Sequence, residues 1–251
     1  MALAIVAALV GGLIVGSFLN VVIYRLPKGE SIARGRSKCP SCGEGVKAYD
    51  NVPVVSWLLL RGKCRSCGAP ISVRYPAVEA LTALLYALTV AVNYDDTTKL
   101  VLGLVMVTFL IPIAAIDLEL KLIPNKLTLP AAVVAVVLGV ILDLDGEVER
   151  LIAGAAAAAF LGIPSLINPK GMGMGDAKLT GVMGLYLGAL VAPAILIGLL
   201  AGVLVGIGVI AHFGMDEGRK RQIPFGPFLA FGAVSAMLAG QPIIDWYLDT
   251  F

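Results

Sequence analysis

Long stretches without a charged residue alternate along this chain with short charged ones, and the alternation predicts its elements. The first uncharged run is Ala2–Ile23, closed by Tyr24 and Arg25. A bilayer core takes about 20 apolar residues of helix, so this run is long enough to span. Further runs follow at Pro76–Asn93, which Glu79 interrupts, and at Leu100–Ile116, Leu127–Leu142 and Leu151–Pro169. Leu179–Met215 holds 37 uncharged residues. At about 1.5 Å of rise per residue that is too long for one crossing, so it must fold back. Gly188–Pro193 is the expected turn, and Ile223–Ile244 is the last run. The pattern predicts an all-α polytopic membrane protein of about eight transmembrane helices. Within the first run, Ser17 and Asn20 are the small and polar residues that pack one helix against another.

One segment breaks the pattern. Arg25–Tyr75 carries Arg25, Lys28, Arg34, Arg36, Lys38, Lys47, Arg61, Lys63, Arg65 and Arg74 against only Glu30, Glu44 and Asp50. It reads as a soluble insertion whose basic excess belongs in the cytoplasm. The basic residues follow the first run instead of preceding it, so that run is expected to be an uncleaved helix with its N-terminus outside. Carried along the chain, the topology leaves only Lys99 and Arg150 of the 19 Lys and Arg on the outer side. Acidic turns at Asn93–Asp96 and Asp143–Glu149 lie outside with Asp245–Phe251. The basic loop Asp216–Gln222 lies inside. Asp117 and Asp176 then both fall at the cytoplasmic face.

Composition agrees with this. The chain is 59% hydrophobic and 14% charged, where a soluble domain carries roughly 25% charged residues. The net charge of +2 decides nothing. No nucleic-acid partner is expected; the lipid bilayer is the surrounding medium.

The four cysteines form two CxxC pairs, Cys39 with Cys42 and Cys64 with Cys67, each followed by glycine. Two such knuckles predict one tetrahedral zinc site. No histidine or carboxylate is slotted among the four, so the site is coordinatively closed and the zinc structural. Metal binding then supplies folding energy to a module with little apolar content.

The second feature is Gly171–Leu179, GMGMGDAKL, where three glycines precede Asp176 at the edge of an uncharged run. An ionisable residue at such a place is by default a functional-site hypothesis. Asp117 ends another run at the same face. Two carboxylates held close share one proton, because both cannot ionise easily. One can then take a proton from water while the other polarises a carbonyl. That chemistry needs no metal and no nucleophilic side chain, and the sequence has no HExxH and no GxSxG. Its one histidine, His212, lies on an apolar run and is expected to pack. Lys121 and Lys178 lie near the pair, where they either favour ionised aspartate or anchor to lipid phosphates.

These residues resemble the type IV prepilin peptidases, membrane aspartic peptidases of the GxGD class. The resemblance is carried by Gly173-Met174-Gly175-Asp176 with Ala177-Lys178-Leu179, and by Asp117 followed by Leu122–Thr128. It extends to Gly16–Pro27, the paired CxxC knuckles, Arg74-Tyr75-Pro76 with Glu79, and Ile223–Gly232. It implies a peptidase that removes a short basic leader from prepilins and pseudopilins after a glycine, in a prokaryotic inner membrane with its site facing the cytoplasm. It implies Asp117 and Asp176 as the catalytic pair. It further implies N-methylation of the new N-terminus by S-adenosylmethionine. Residues 1–98 would serve methyl transfer and residues 99–251 peptidase chemistry. Glu79 either orients the substrate ammonium or serves packing and helix-end electrostatics. Gly173 and Gly175 are expected to form a substrate loop that pairs with an extended segment by strand addition. The competing readings are a proton- or cation-coupled transporter using the two aspartates, and a zinc sensor or assembly factor with a passive membrane part.

Overall fold

The computed structural model describes residues 1–167, 173–215 and 222–250. Of the segments discussed above, Asn168 and Pro169 of the fifth run, Gly171, Met172, Asp216–Arg221 of the basic loop and Phe251 lie outside the described residues. Among the described residues the regular structure is helical, with two isolated bridges and no longer strand. The chain forms two units, Met1–Tyr94 and Asp95–Phe251.

The first unit pairs α1 (Ala2–Arg25) with α3 (Arg74–Asn93), with the short helix α2 (Val55–Leu59) between them in sequence. The pairing is antiparallel: Gly12 lies against Ala83, Gly16 against Glu79 and Thr82, and Asn20 Nδ2 donates to Tyr75 O at 3.0 Å. A Cβ at Gly16 would stand 2.7 Å from Glu79 Cα, so the backbones approach as only glycine allows. The packing role expected for Asn20 is what the structure contains.

The second unit comprises α4 (Thr97–Leu120), α5 (Asn125–Leu142), α6 (Leu144–Ile167), α7 (Met174–Leu187), α8 (Val191–Phe213) and α9 (Gly226–Thr250). Asp96 caps α4, its side chain accepting the Lys99 N–H at 2.9 Å. The long uncharged run breaks at a tight turn, Gly188–Leu190, with Gly188 at φ 57°. Pro193 falls in the first turn of α8, where its missing N–H costs no hydrogen bond.

Neighbouring contacts establish the reversal. Along α6 and α7, Gly162 meets Ala177 and Gly154 meets Gly184, while Glu149 Oε1 accepts the Ala189 N–H at 3.0 Å. Along α8 and α9, Gly240 meets Leu190, Gly198 meets Leu229 and Gly202 meets Phe225. Both pairs are antiparallel, and the starts of α7 and α9 both lie near Asp117, so α7 runs to the Gly188 end and α8 returns.

Five helices are each long and apolar enough to cross a membrane: α1, α3, α4, α5 and α6. The apolar stretch Met174–Phe213 is a sixth such segment, and Gly226–Gly240 is shorter. The hairpin divides that sixth segment into α7 and α8, which with α9 completes the expected set of about eight. α7 has 14 residues, a rise of about 21 Å at 1.5 Å per residue.

Two boundaries differ from those expected. α6 begins at Leu144, so the acidic stretch Asp143–Glu149 is almost wholly helical and not an open turn. α7 begins at Met174, five residues before the uncharged run that opens at Leu179, so Gly175 and Asp176 lie in its first turn and, of the two expected loop glycines, only Gly173 precedes the helix.

Candidate active site and metal centre

The tetracysteine centre is built from two backbone knuckles in the first unit. Cys39 N–H donates to Glu44 O at 2.9 Å and Gly43 N–H returns to Cys39 O at 2.9 Å. Cys64 and Gly68 repeat the arrangement: Cys64 N–H donates to Ala69 O at 2.8 Å, and Gly68 N–H donates to Cys64 O at 2.9 Å. The four sulfurs lie within 4.8 Å of one another, with Cys39 Sγ and Cys67 Sγ 3.8 Å apart. A tetrahedron with Zn–S bonds of about 2.3 Å has edges of about 3.8 Å, so the donor set fits zinc. Backbone N–H groups of Cys42 and Ser41 hold the Cys39 thiol down, at about 6, which favours the thiolate a metal binds.

Glu79 is 8% exposed in the second turn of α3. Its Oε2 accepts the Val54 N–H at 2.7 Å, and Ser17 of α1 also bonds to its side chain. Val54 sits at φ 61°, ψ −51°, a backbone shape costly for a β-branched residue. The carboxylate therefore fastens the start of α2 to the α1–α3 pair.

In the second unit the folding of α4 and α7 places Asp117 and Asp176 within electrostatic reach of each other. Asp117 lies in the last turn of α4 and is 5% exposed. Asp176 is half-buried in the first turn of α7, within electrostatic reach of Asp117. Three contacts set the register of α7: Tyr186 Oη donates to Ala131 O at 2.8 Å, Thr180 Oγ1 to Ala157 O at 3.2 Å, and Lys178 Nζ to Asn125 Oδ1 at 3.1 Å. Lys178 thus has a side-chain partner on α5. The α4–α5 link packs on the same end of α7, where a Cβ at Gly175 would stand 3.1 Å from Ile123 Cβ. Gly173 precedes the helix in extended backbone at φ −78°, ψ 138°.

A third element reaches the pair. Gly226, first residue of α9, donates its N–H to Asp117 Oδ2 at 2.9 Å across 109 positions of sequence. No role was expected for it. The Phe-Gly-Pro-Phe string at the head of an apolar run is a helix-start signal, but nothing in the sequence points that start at Asp117.

A polytopic helical membrane protein with a four-cysteine cluster that could hold zinc, and with aspartates at the end of one helix and the start of another, is the class these observations define. Comparison with known proteins narrows it. Residues 10–93 match the Bacterial Peptidase A24 N-terminal domain, and residues 104–210 match the Type IV leader peptidase family. The chain is 37% identical to the prepilin leader peptidase/N-methyltransferase of Aeromonas hydrophila, over 95% of this chain and 92% of that one. It is 34% identical to the protein of that name from Neisseria gonorrhoeae, over 98% and 95%. It is 34% identical to that from Bacillus subtilis (strain 168), over 94% and 95%. No solved structure matches. The chain belongs to the prepilin leader peptidase/N-methyltransferase family and is an enzyme.

Proposed function

We propose that this chain is a membrane aspartic endopeptidase that removes the basic leader from type IV prepilins or pseudopilins after a glycine, at the cytoplasmic face. It then methylates the new N-terminus with S-adenosylmethionine. The observation that carries the reading is that Asp117 and Asp176 lie within electrostatic reach of each other, in a chain whose relatives bear that double name.

The chemistry follows from the pair. One carboxylate takes a proton from water, and the hydroxide adds to the scissile carbonyl carbon. The other carboxyl gives its proton to the carbonyl oxygen. Collapse breaks the C–N bond, returns a proton to the departing amine and restores the shared proton. A prepilin's apolar helix can lie in lipid while its charged leader stays in water, which sets the scissile bond at the depth of the aspartates. Extended backbone at Gly173 suits pairing with an unwound substrate segment, while Gly175 gives the close approach to Ile123.

Cys39, Cys42, Cys64 and Cys67 would hold one Zn²⁺, whose chemistry is structural because four thiolates leave no open position. Methyl transfer is assigned to the first unit. Asn20 Oδ1 is buried there without a hydrogen-bond partner, a polar group a bound donor or amine could use. Glu79 contributes by holding Val54, or by orienting the substrate ammonium.

The test is incubation of the purified protein with a prepilin, with and without S-adenosylmethionine, followed by mass spectrometry of the products. Cleavage in both samples, and a 14 Da gain only with the donor, is expected. Asp117→Asn and Asp176→Asn should each abolish cleavage while the protein still inserts. Cleavage that survives both changes would sink the reading.

A further inference from the structure

We propose that Gly226 is a positioning residue for Asp117: its N–H fixes Oδ2 and leaves Oδ1 as the oxygen that meets water. The inference rests on the peptidase reading above.

The first N–H groups of a helix have no partner inside it. In α9 the Phe225 carbonyl already accepts from Phe228 and Leu229, at 3.1 and 3.2 Å, and Pro227 has no N–H. The Gly226 N–H is therefore the donor that α9 turns on Asp117, with the positive end of the helix dipole behind it. Space enforces the identity of the residue. A Cβ at position 226 would stand 2.8 Å from Asp117 Oδ2, 3.2 Å from Cγ and 3.4 Å from Cβ. Any side chain there displaces the carboxylate. Asp117 sits on the last turn of α4, and its own backbone oxygen is held by the Lys121 N–H at 2.8 Å. Both ends of the aspartate are thus tied, one by its own helix and one by α9. Among the described residues few other charges bear on it. Asp176 faces it from α7, and Lys178 of α7 is engaged by Asn125. α5 carries only Lys126, α4 and its link add Glu119 and Lys121, and α9 carries no ionisable residue between Gly226 and Gly240.

The experiment compares wild type, Gly226→Ala and Gly226→Pro on a prepilin, with methylation of an already cleaved pilin measured in the same preparations. Gly226→Ala keeps the N–H and pushes the carboxylate aside. Gly226→Pro adds a Cβ and also removes the N–H, at a helix position that tolerates proline. A misplacement of about 1 Å costs on the order of 100-fold in rate, so kcat should fall by at least about that much with KM within about twofold. Methylation should be unchanged. Gly226→Pro should lose at least as much as Gly226→Ala, because the anchoring N–H goes as well as the space. A lost folded fraction would lower cleavage and methylation alike. Wild-type kcat in Gly226→Ala or in Gly226→Pro, or equal loss of cleavage and methylation in both, would overturn the proposal. Retained cleavage in Asp117→Asn would instead overturn the peptidase reading itself.

Discussion

Arg150 supplies the sharpest test of how the second unit holds together. In sequence it closes an acidic stretch that reads as an open turn. In the structure it is buried, 8% exposed, beside Glu147 at 3%. Its Nε donates to Glu147 Oε2 at 2.9 Å, its Nη1 to Asp143 Oδ2 at 2.9 Å, and its Nη2 to the Asp143 carbonyl. Glu147 Oε1 has no hydrogen-bond partner, and its carboxylate lies against Gly139, where a Cβ would collide with it. Arg150→Ala would leave the Glu147 carboxylate buried with neither oxygen paired. Removing one partner of a buried pair costs about 3–5 kcal/mol. Removing both ions with Arg150→Met and Glu147→Leu should cost less than Arg150→Ala alone, because the stranded charge is gone. The assay is equilibrium unfolding in mixed micelles of wild type, both single variants and the double variant, followed by circular dichroism. A cost below about 1 kcal/mol for Arg150→Ala, or strict additivity in the cycle, would refute the reasoning. The same network adds an acid dependence. Arg150 and the Gly146 N–H hold the Asp143 carboxyl below its usual range. The folded state therefore binds this proton less readily than the unfolded one, so the contribution is complete above pH about 4 and fades as pH falls below that. It should shrink in Arg150→Ala, where only the Gly146 N–H still holds the carboxylate.

Two further outcomes follow from the first unit. Purified protein should carry one zinc per chain by a chromophoric chelator assay, and Cys39→Ser should release it and speed proteolysis within residues 37–72; full zinc retention would count against a four-thiolate site. Glu79→Gln keeps an acceptor for the Val54 N–H and should keep the α2 segment protected from protease, whereas Glu79→Ala strands a backbone already costing about 1–3 kcal/mol and should expose it. Loss of methylation in Glu79→Gln with protection intact would favour the ammonium-orienting role over the fastening one.

Much of this molecule is legible before folding because a bilayer is a strict solvent. Uncharged runs of about 20 residues must become helices there, since no water is present to satisfy an open backbone. The spans, the 188–190 turn and the thiol cluster therefore follow from spacing alone: Cys39 with Cys42 and Cys64 with Cys67 need only a local knuckle and one loop closure. Helix starts were less legible. Met174 opens α7 within a glycine track and Leu144 opens α6 within an acidic stretch, because tertiary packing there outweighs local propensity. What no stretch of sequence could decide is which distant groups meet. The Gly226 N–H finds Asp117, the Val54 N–H finds Glu79, and the Arg150 guanidinium turns inward on Glu147 instead of out to solvent. Each is a buried polar group whose partner is chosen by how helices stack. The rule that it must have one is general, but its identity belongs to the fold.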